Sequence, residues 1–166
     1  MSVALSVALS APERPLTLQV SLAEGARAPA RAHDSDAGLD VWVLRVEQRG
    51  PRLFFCDTGV TLAPPPGCYV EVAPRSSVVW RGFIFPHSVG VIDPGYRGPL
   101  LIPLLYVGAG GDEEAARAAA GLAGERVAQL LLRPLLLCAV EAVAHEALPA
   151  PADLRAGGGF GSTGRA

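Results

Sequence analysis

The chain of 166 residues has no lysine and no asparagine, three cysteines and one methionine. Without lysine there is neither a P-loop lysine nor a Schiff-base nucleophile, because both need an amine at a fixed place. All 14 basic residues are arginine, whose planar fork grips phosphate oxygens two at a time. An excess of either charge is lacking too. A net charge of −2 and a pI near 5.9 leave no electrostatic footprint for a nucleic-acid polymer or an anionic membrane, so any nucleotide-like ligand is expected to be small. Cys56, Cys68 and Cys138 are odd in number and far apart, and His33, His87 and His145 match neither H-E-x-x-H nor a finger spacing. This argues against a metal site built by protein ligands alone. It favours reduced thiols in an intracellular, cytoplasmic protein. The opening MSVALSVALSAPERP repeats SVAL but has no basic n-region and is too short to span a bilayer; residues 1–14 read as a frayed tail.

What is present is a series of short apolar runs set between turn residues: Leu16 to Leu22, Gly38 to Val46, Leu53 to Leu62, Cys68 to Ala73, Phe83 to Phe85, Gly90 to Ile92, Leu100 to Val107 and Val127 to Leu132. Their length and alternation predict strands. The 15 prolines and 19 glycines speak against long helices. Together these features predict one all-β domain over 15–148, a sandwich, jelly roll or barrel. One stretch differs: GGDEEAARAAAGLAGER, where Asp112 is expected to cap a short helix within a surface insertion at about 108–123. Residues 149–166 have little to bury and are expected to form a mobile arm.

The end of the chain, GGGFGSTGRA, contains the G-x-G-x-x-G pattern of dinucleotide sites. That pattern requires a following helix to face the pyrophosphate, and only Arg165 and Ala166 remain. Chemistry is carried instead by five segments: AHDSDAGLD (Ala32 to Asp40), PRSS (Pro74 to Ser77), VGVIDPGYRG (Val89 to Gly98), GERVAQL (Gly124 to Leu130) and RAGGGFGSTG (Arg155 to Gly164). Pro94-Gly95 suits the corners of a turn between two hairpin arms, Val91-Ile92-Asp93 and Tyr96-Arg97. Asp93 is either an Asx-turn residue bonding its own backbone or a general base holding a water. PRSS can form an anion-binding nest. Arg126 and Gln129 lie three apart, hence on opposite faces of an ideal strand, which leaves one of them structural. In the arm, Phe160 can stack on a base, while Arg155, Ser162, Thr163 and glycine N–H groups such as that of Gly161 can wrap phosphates.

These five segments, in this order, resemble the trimeric all-β dUTPases over nearly the whole chain. The resemblance implies a jelly-roll subunit, a homotrimer with active sites at subunit interfaces, and Mg2+-dependent hydrolysis of dUTP to dUMP and pyrophosphate, supplying dUMP for thymidylate synthesis. By position, Asp93 resembles the base that orients the attacking water, and Tyr96 the ring that blocks a ribose 2′-hydroxyl. Arg75, Ser76, Ser77 and Gln129 fall on phosphate contacts. Asp40 matches the carboxylate that reaches Mg2+ through water. Gly90, Val91, Ile92 and Leu101 belong with the nucleoside-contacting set. Arg155, Phe160, Gly161, Ser162 and Thr163 match the arm that closes over the bound nucleotide. Some positions depart from the family pattern. His87 stands where many members have asparagine beside the pyrimidine, and is there to hydrogen-bond the base or to cap and pack. Trp80 and Arg81 are bulky, and Pro99 and Ala156 replace an acidic residue and a glycine.

Two other readings compete. The related dCTP deaminases share the fold but place a glutamate on the strand after the hairpin, where this chain has PLLIPLL and no carboxylate. A non-catalytic interaction protein of the same fold is expected to have lost Asp93, Tyr96 or the arm, and all three are present.

Overall fold

The computed structural model describes residues 16–150. The N-terminal tail and the arm residues Arg155, Phe160, Gly161, Ser162 and Thr163 lie outside the described residues. In chain order the elements are β1 (Gln19–Leu22), β2 (Leu39–Trp42), β3 (Arg45–Gln48), β4 (Leu53–Asp57), β5 (Val60–Ala63), β6 (Cys68–Pro74), α1 (Ser77–Trp80), β7 (Phe83–Ile84), β8 (Gly90–Ile92), β9 (Leu101–Tyr106), α2 (Asp112–Ala120) and β10 (Arg126–Pro134). The chain divides into two units at Leu136/Leu137. The described part of the second unit carries one 3-10 turn, His145–Ala147.

The fold is all-β, as the alternation predicts. One sheet runs β2-β10-β6-β8, a second runs β3-β4-β9-β7, and β1 pairs with β5 alone. All pairings are antiparallel. Successive side chains point to opposite faces of a strand, so the inward residues of the two larger sheets meet in one core. Val41, Val70, Val72 and Leu130 come from one sheet, and Phe54, Cys56, Phe83, Ile102 and Leu104 from the other. Each such side chain contributes about 1.5–3 kcal/mol of burial. Phe83 stands edge-on to both Phe54 and Tyr106. Burial pushes the Cys56 thiol up to about 12, since the thiolate loses hydration there.

Two predicted strands are each broken into two. Gly38 to Val46 divides because Val43 N–H donates to Glu125 O, whereas Leu44 N–H donates to Asp57 O. The chain changes sheets between these neighbours. Leu53 to Leu62 divides at Asp57-Thr58-Gly59. There Gly59 N–H donates to Asp57 Oδ1 (2.7 Å), and the buried Thr58 hydroxyl donates to Leu100 O (2.9 Å). Gly59 has φ +67°, and a Cβ on it would sit 2.7 Å from Ala26 and 2.8 Å from Leu44 side-chain carbons, so only glycine fits this corner.

The insertion also differs from expectation. Asp112 is the first helical residue, and the cap position is Gly111, which makes no side-chain capping bond. The segment is not merely superficial: Ala115, Ala119 and Leu122 are buried within the core cluster. Small alanines permit the close approach, and α2 packs against β3.

Candidate active site

Val89 to Asp93 and Tyr96, from the segment VGVIDPGYRG, line a cleft of about 510 Å3. His87, Gly90, Val91, Ile92, Asp93, Tyr96 and Leu101 all face it, with Phe55, Val72 and Phe85 among its apolar walls. Its rim is set by two turns. Tyr96 N–H donates to Asp93 O (3.1 Å) across Pro94-Gly95, which is the predicted turn. The hairpin arms are not as expected, however. Residues 96–97 form no strand, and β8 pairs with β6, Val70 opposite Ile92 and Val72 opposite Gly90. Arg97 folds back onto Pro94 O and Tyr96 O instead of extending an arm. Because backbone atoms close the turn, the exposed Asp93 carboxylate makes no hydrogen bond among the described residues. The Asx-turn reading therefore gives way to a carboxylate open to a ligand or water.

Tyr96 is held from behind. Its hydroxyl donates to Pro99 O (3.0 Å), and a Cβ on Gly98 would lie 2.4 Å from that hydroxyl oxygen. Ser88, two residues before β8, has φ 61°, the left-handed region that costs a non-glycine residue about 1–3 kcal/mol when the surroundings enforce it. Its neighbours His87 and Val89 line the cleft, and the His87 ring stands edge-on to Phe85 with centroids 5.8 Å apart.

A second, polar cleft of about 260 Å3 gathers Asp36, Gly38, Asp40, Arg75, Ser76 and Gln129. The loop before β2 is tied locally: His33 N–H donates to Asp36 Oδ2 (2.9 Å), and Arg31 Nε donates to Asp36 O (2.8 Å). Asp40 is 8% exposed, and its carboxylate is charge-balanced from two directions. Arg126 Nη1 donates to Oδ2 at 2.9 Å, and Arg75 Nε lies 3.0 Å from Oδ1. The Arg75 contact is an ion pair, whereas Arg126 makes an aligned hydrogen bond. Ser77 is exposed at the start of the single-turn α1 and lines neither cleft.

Arg126 and Gln129, expected on opposite faces, share one for a local reason. Trp42 faces Arg126, but Val41 faces Ala128 and Asp40 faces Gln129, so Val127 is one residue too many in β10. Val127 and Ala128 are both buried as consecutive residues. This bulge changes the phase of the strand, and Arg126 and Gln129 both end on the face of Asp40.

The sequence pattern of the dUTPase family matches residues 24–164. The chain belongs to the dUTPase family. A deoxyuridine 5'-triphosphate nucleotidohydrolase of Mycobacterium marinum is 37% identical over 152 residues, covering 87% of this chain and 92% of its own. The enzyme so named in Mycolicibacterium gilvum is 31% identical over 167 residues, covering 99% and 97%. Among solved structures, the dUTPase of Staphylococcus bacteriophage 80alpha with dUPNHPP has a TM-score of 0.71 at 25% identity, over 90% of this chain and 99% of that one. A mutant dUTPase from phage phi11 of S. aureus, described with a structural Mg(II) ion, has a TM-score of 0.62 at 25% identity, over 76% and 96%.

For a dUTPase, the residue that sequence reasoning set aside is Arg126. Its signal was present as a charge three residues before Gln129, but parity hides its direction unless the bulge is known. Gly38 and Gly98 were also passed over. Each lies beside a candidate site side chain, Gln129 and Tyr96 respectively, and leaves space that the side chain fills.

Proposed function

We propose that the chain hydrolyses dUTP at the α–β phosphoanhydride, giving dUMP and pyrophosphate, and thereby lowers dUTP and supplies dUMP for thymidylate synthesis. The observation that carries this reading is the open Asp93 carboxylate at the end of β8, in the cleft shared with His87, Tyr96 and Leu101. Asp93 accepts a proton as water attacks the α-phosphorus. The new P–O bond forms as the bond to the bridging oxygen breaks, and the electron pair leaves with pyrophosphate. Backbone groups of Gly90, Val91 and Ile92 at the sheet edge, with His87, recognise the base; Tyr96 packs against the sugar. Arg75, Ser76, Ser77 and Gln129 bind phosphate oxygens, and the arm residues Arg155, Phe160, Gly161, Ser162 and Thr163 close over the nucleotide and exclude water.

The donor set around Asp40 fits a Mg2+ ion held mainly by the triphosphate. Among the described residues no cluster of three acidic, histidine or cysteine side chains is built to hold a metal ion. A carboxylate has about four acceptor positions, and the two guanidinium groups leave room for water-mediated contact while disfavouring a bare dication beside them. Mg2+ bound there supplies charge neutralisation and alignment of the triphosphate.

The two clefts share no lining residue, which supports a homotrimer in which each complete site combines segments of different subunits. Leu136, Leu137, Val140, Val143 and Leu148 are exposed on each chain, which supports apolar burial against another copy. Pyrophosphate release from dUTP, dCTP, dTTP and UTP tests the assignment. Turnover confined to dUTP is expected; ammonia release from dCTP, or equal turnover of all four, refutes it.

A further inference from the structure

Gly38, just before β2, is buried. A Cβ built on it would lie 2.3 Å from Gln129 Oε1 and 3.0 Å from both Gln129 Cβ and Cδ. The nearest atoms to this missing methyl thus all belong to one side chain. Gln129 sits opposite Asp40 in the β10–β2 register, and its amide Nε2 lies 3.4 Å from Pro74 O at the entrance of the PRSS segment. The amide therefore spans the polar cleft from β2 to the end of β6, lying over the α-carbon of Gly38.

We propose that Gly38 is a positioning residue for Gln129: its missing side chain forms the seat that holds the amide toward the phosphates. This rests on the phosphate-binding reading of the polar cleft. Any L side chain at position 38 drives Gln129 out of the seat. The closest contacts, with Oε1 and Cδ, are relieved by rotating Gln129 away, and the one with its Cβ at 3.0 Å by a shift of a few tenths of an ångström, so the chain can still fold. A shift of about 1 Å in a group that orients a reacting ligand costs up to about 100-fold in rate.

Wild type, Gly38→Ala, Gln129→Ala and the double variant form a cycle that isolates the contact. Two readouts serve it: kcat/KM for dUTP, and calorimetric binding of inorganic triphosphate with Mg2+. Gly38→Ala is expected to lower kcat/KM about 10- to 100-fold, with triphosphate binding weakened in parallel. In the Gln129→Ala background the same substitution is expected to have little further effect, because Oε1 and Cδ are gone and only the Cβ at 3.0 Å remains. Wild-type behaviour of Gly38→Ala overturns the proposal, as does a loss that multiplies with that of Gln129→Ala. If Gly38→Ala fails to fold, recovery of folding in the double variant supports the seat, and continued unfolding overturns it. A wild type that binds triphosphate without hydrolysing dUTP refutes the assigned reaction and leaves the seat standing. A wild type that does not bind triphosphate overturns the seat itself.

Discussion

Leu122, between α2 and β10, offers a direct measure of how far the insertion is part of the core. Its side chain is 0% exposed, and Ala115 and Ala119 beside it are 0% and 2% exposed. Replacing it with alanine removes three buried carbons, about 2.4 kcal/mol at roughly 0.8 kcal/mol per methylene-sized group. The cavity left behind adds to this, giving an expected loss of about 3–4 kcal/mol. In a domain whose whole stability is about 5–15 kcal/mol, that lowers the melting temperature by about 10 °C. Arg117→Ala on the outer face of the same helix is the control. Its ion pair with Glu114 is largely solvated, with side chains 72% and 44% exposed, and its removal is expected to cost less than about 0.5 kcal/mol. Urea denaturation followed by circular dichroism, at one fixed protein concentration, measures both variants. Equal, sub-kilocalorie losses would refute the reasoning and return residues 108–123 to a dispensable surface excursion.

Asp93→Asn is expected to fold and bind dUTP but to turn over at least about 100-fold more slowly; near-normal kcat removes Asp93 as the base. Arg126→Gln strips Asp40 of its aligned partner, and we expect a stability loss of about 1–3 kcal/mol with weaker dUTP binding; an unchanged denaturation midpoint would contradict the geometry. Cys56 carries its proton up to about 12 in the folded chain, above the ordinary 9.0, so the unfolded chain ionises first as pH rises. Its contribution to stability is full below about pH 9 and is lost between 9 and 12, a trend that Cys56→Ala should flatten in pH-dependent melts. A thiol reagent is expected to label the exposed Cys138 at once and the buried Cys56 only on unfolding. Truncation after residue 154 should leave the core melting unchanged while dUTP turnover collapses; full activity of that variant excludes the arm from the site.

Strands whose inward residues alternate cleanly were legible in advance. Cys68–Pro74 and Leu101–Tyr106 bury every second residue, a pattern that period-two reading detects directly. The sheet changes at Val43/Leu44 and at Thr58-Gly59 were not legible, because the apolar run continues while its hydrogen-bond partner changes. The core role of α2 was hidden by composition: Ala115 and Ala119 read as surface helix, although their small size is what allows close packing. In the candidate site, motif order singled out Asp93, Tyr96, Arg75 and Gln129, which the fold places on the walls of two clefts. It did not say that the polar and apolar groups line separate clefts, nor that Asp93 stays free of its own turn. Those facts depend on which strands become neighbours.

The bulge at Val127 bears on which genetic changes this protein can absorb. Most replacements at that position alter how well an interior gap is filled. Loss of the codon would instead remove the bulge and leave Arg126 two residues from Gln129, still opposite Trp42 and on the face of Asp40, while the buried Val127 side chain and the carbonyl that accepts from Arg75 N–H are lost. A single in-frame deletion there therefore keeps the carboxylate's partner and the cleft's amide on one face and changes the core and the strand twist beneath them. Their shared face belongs to the pairing with β2, and the same two side chains meet Asp40 whether two or three residues separate them in the sequence.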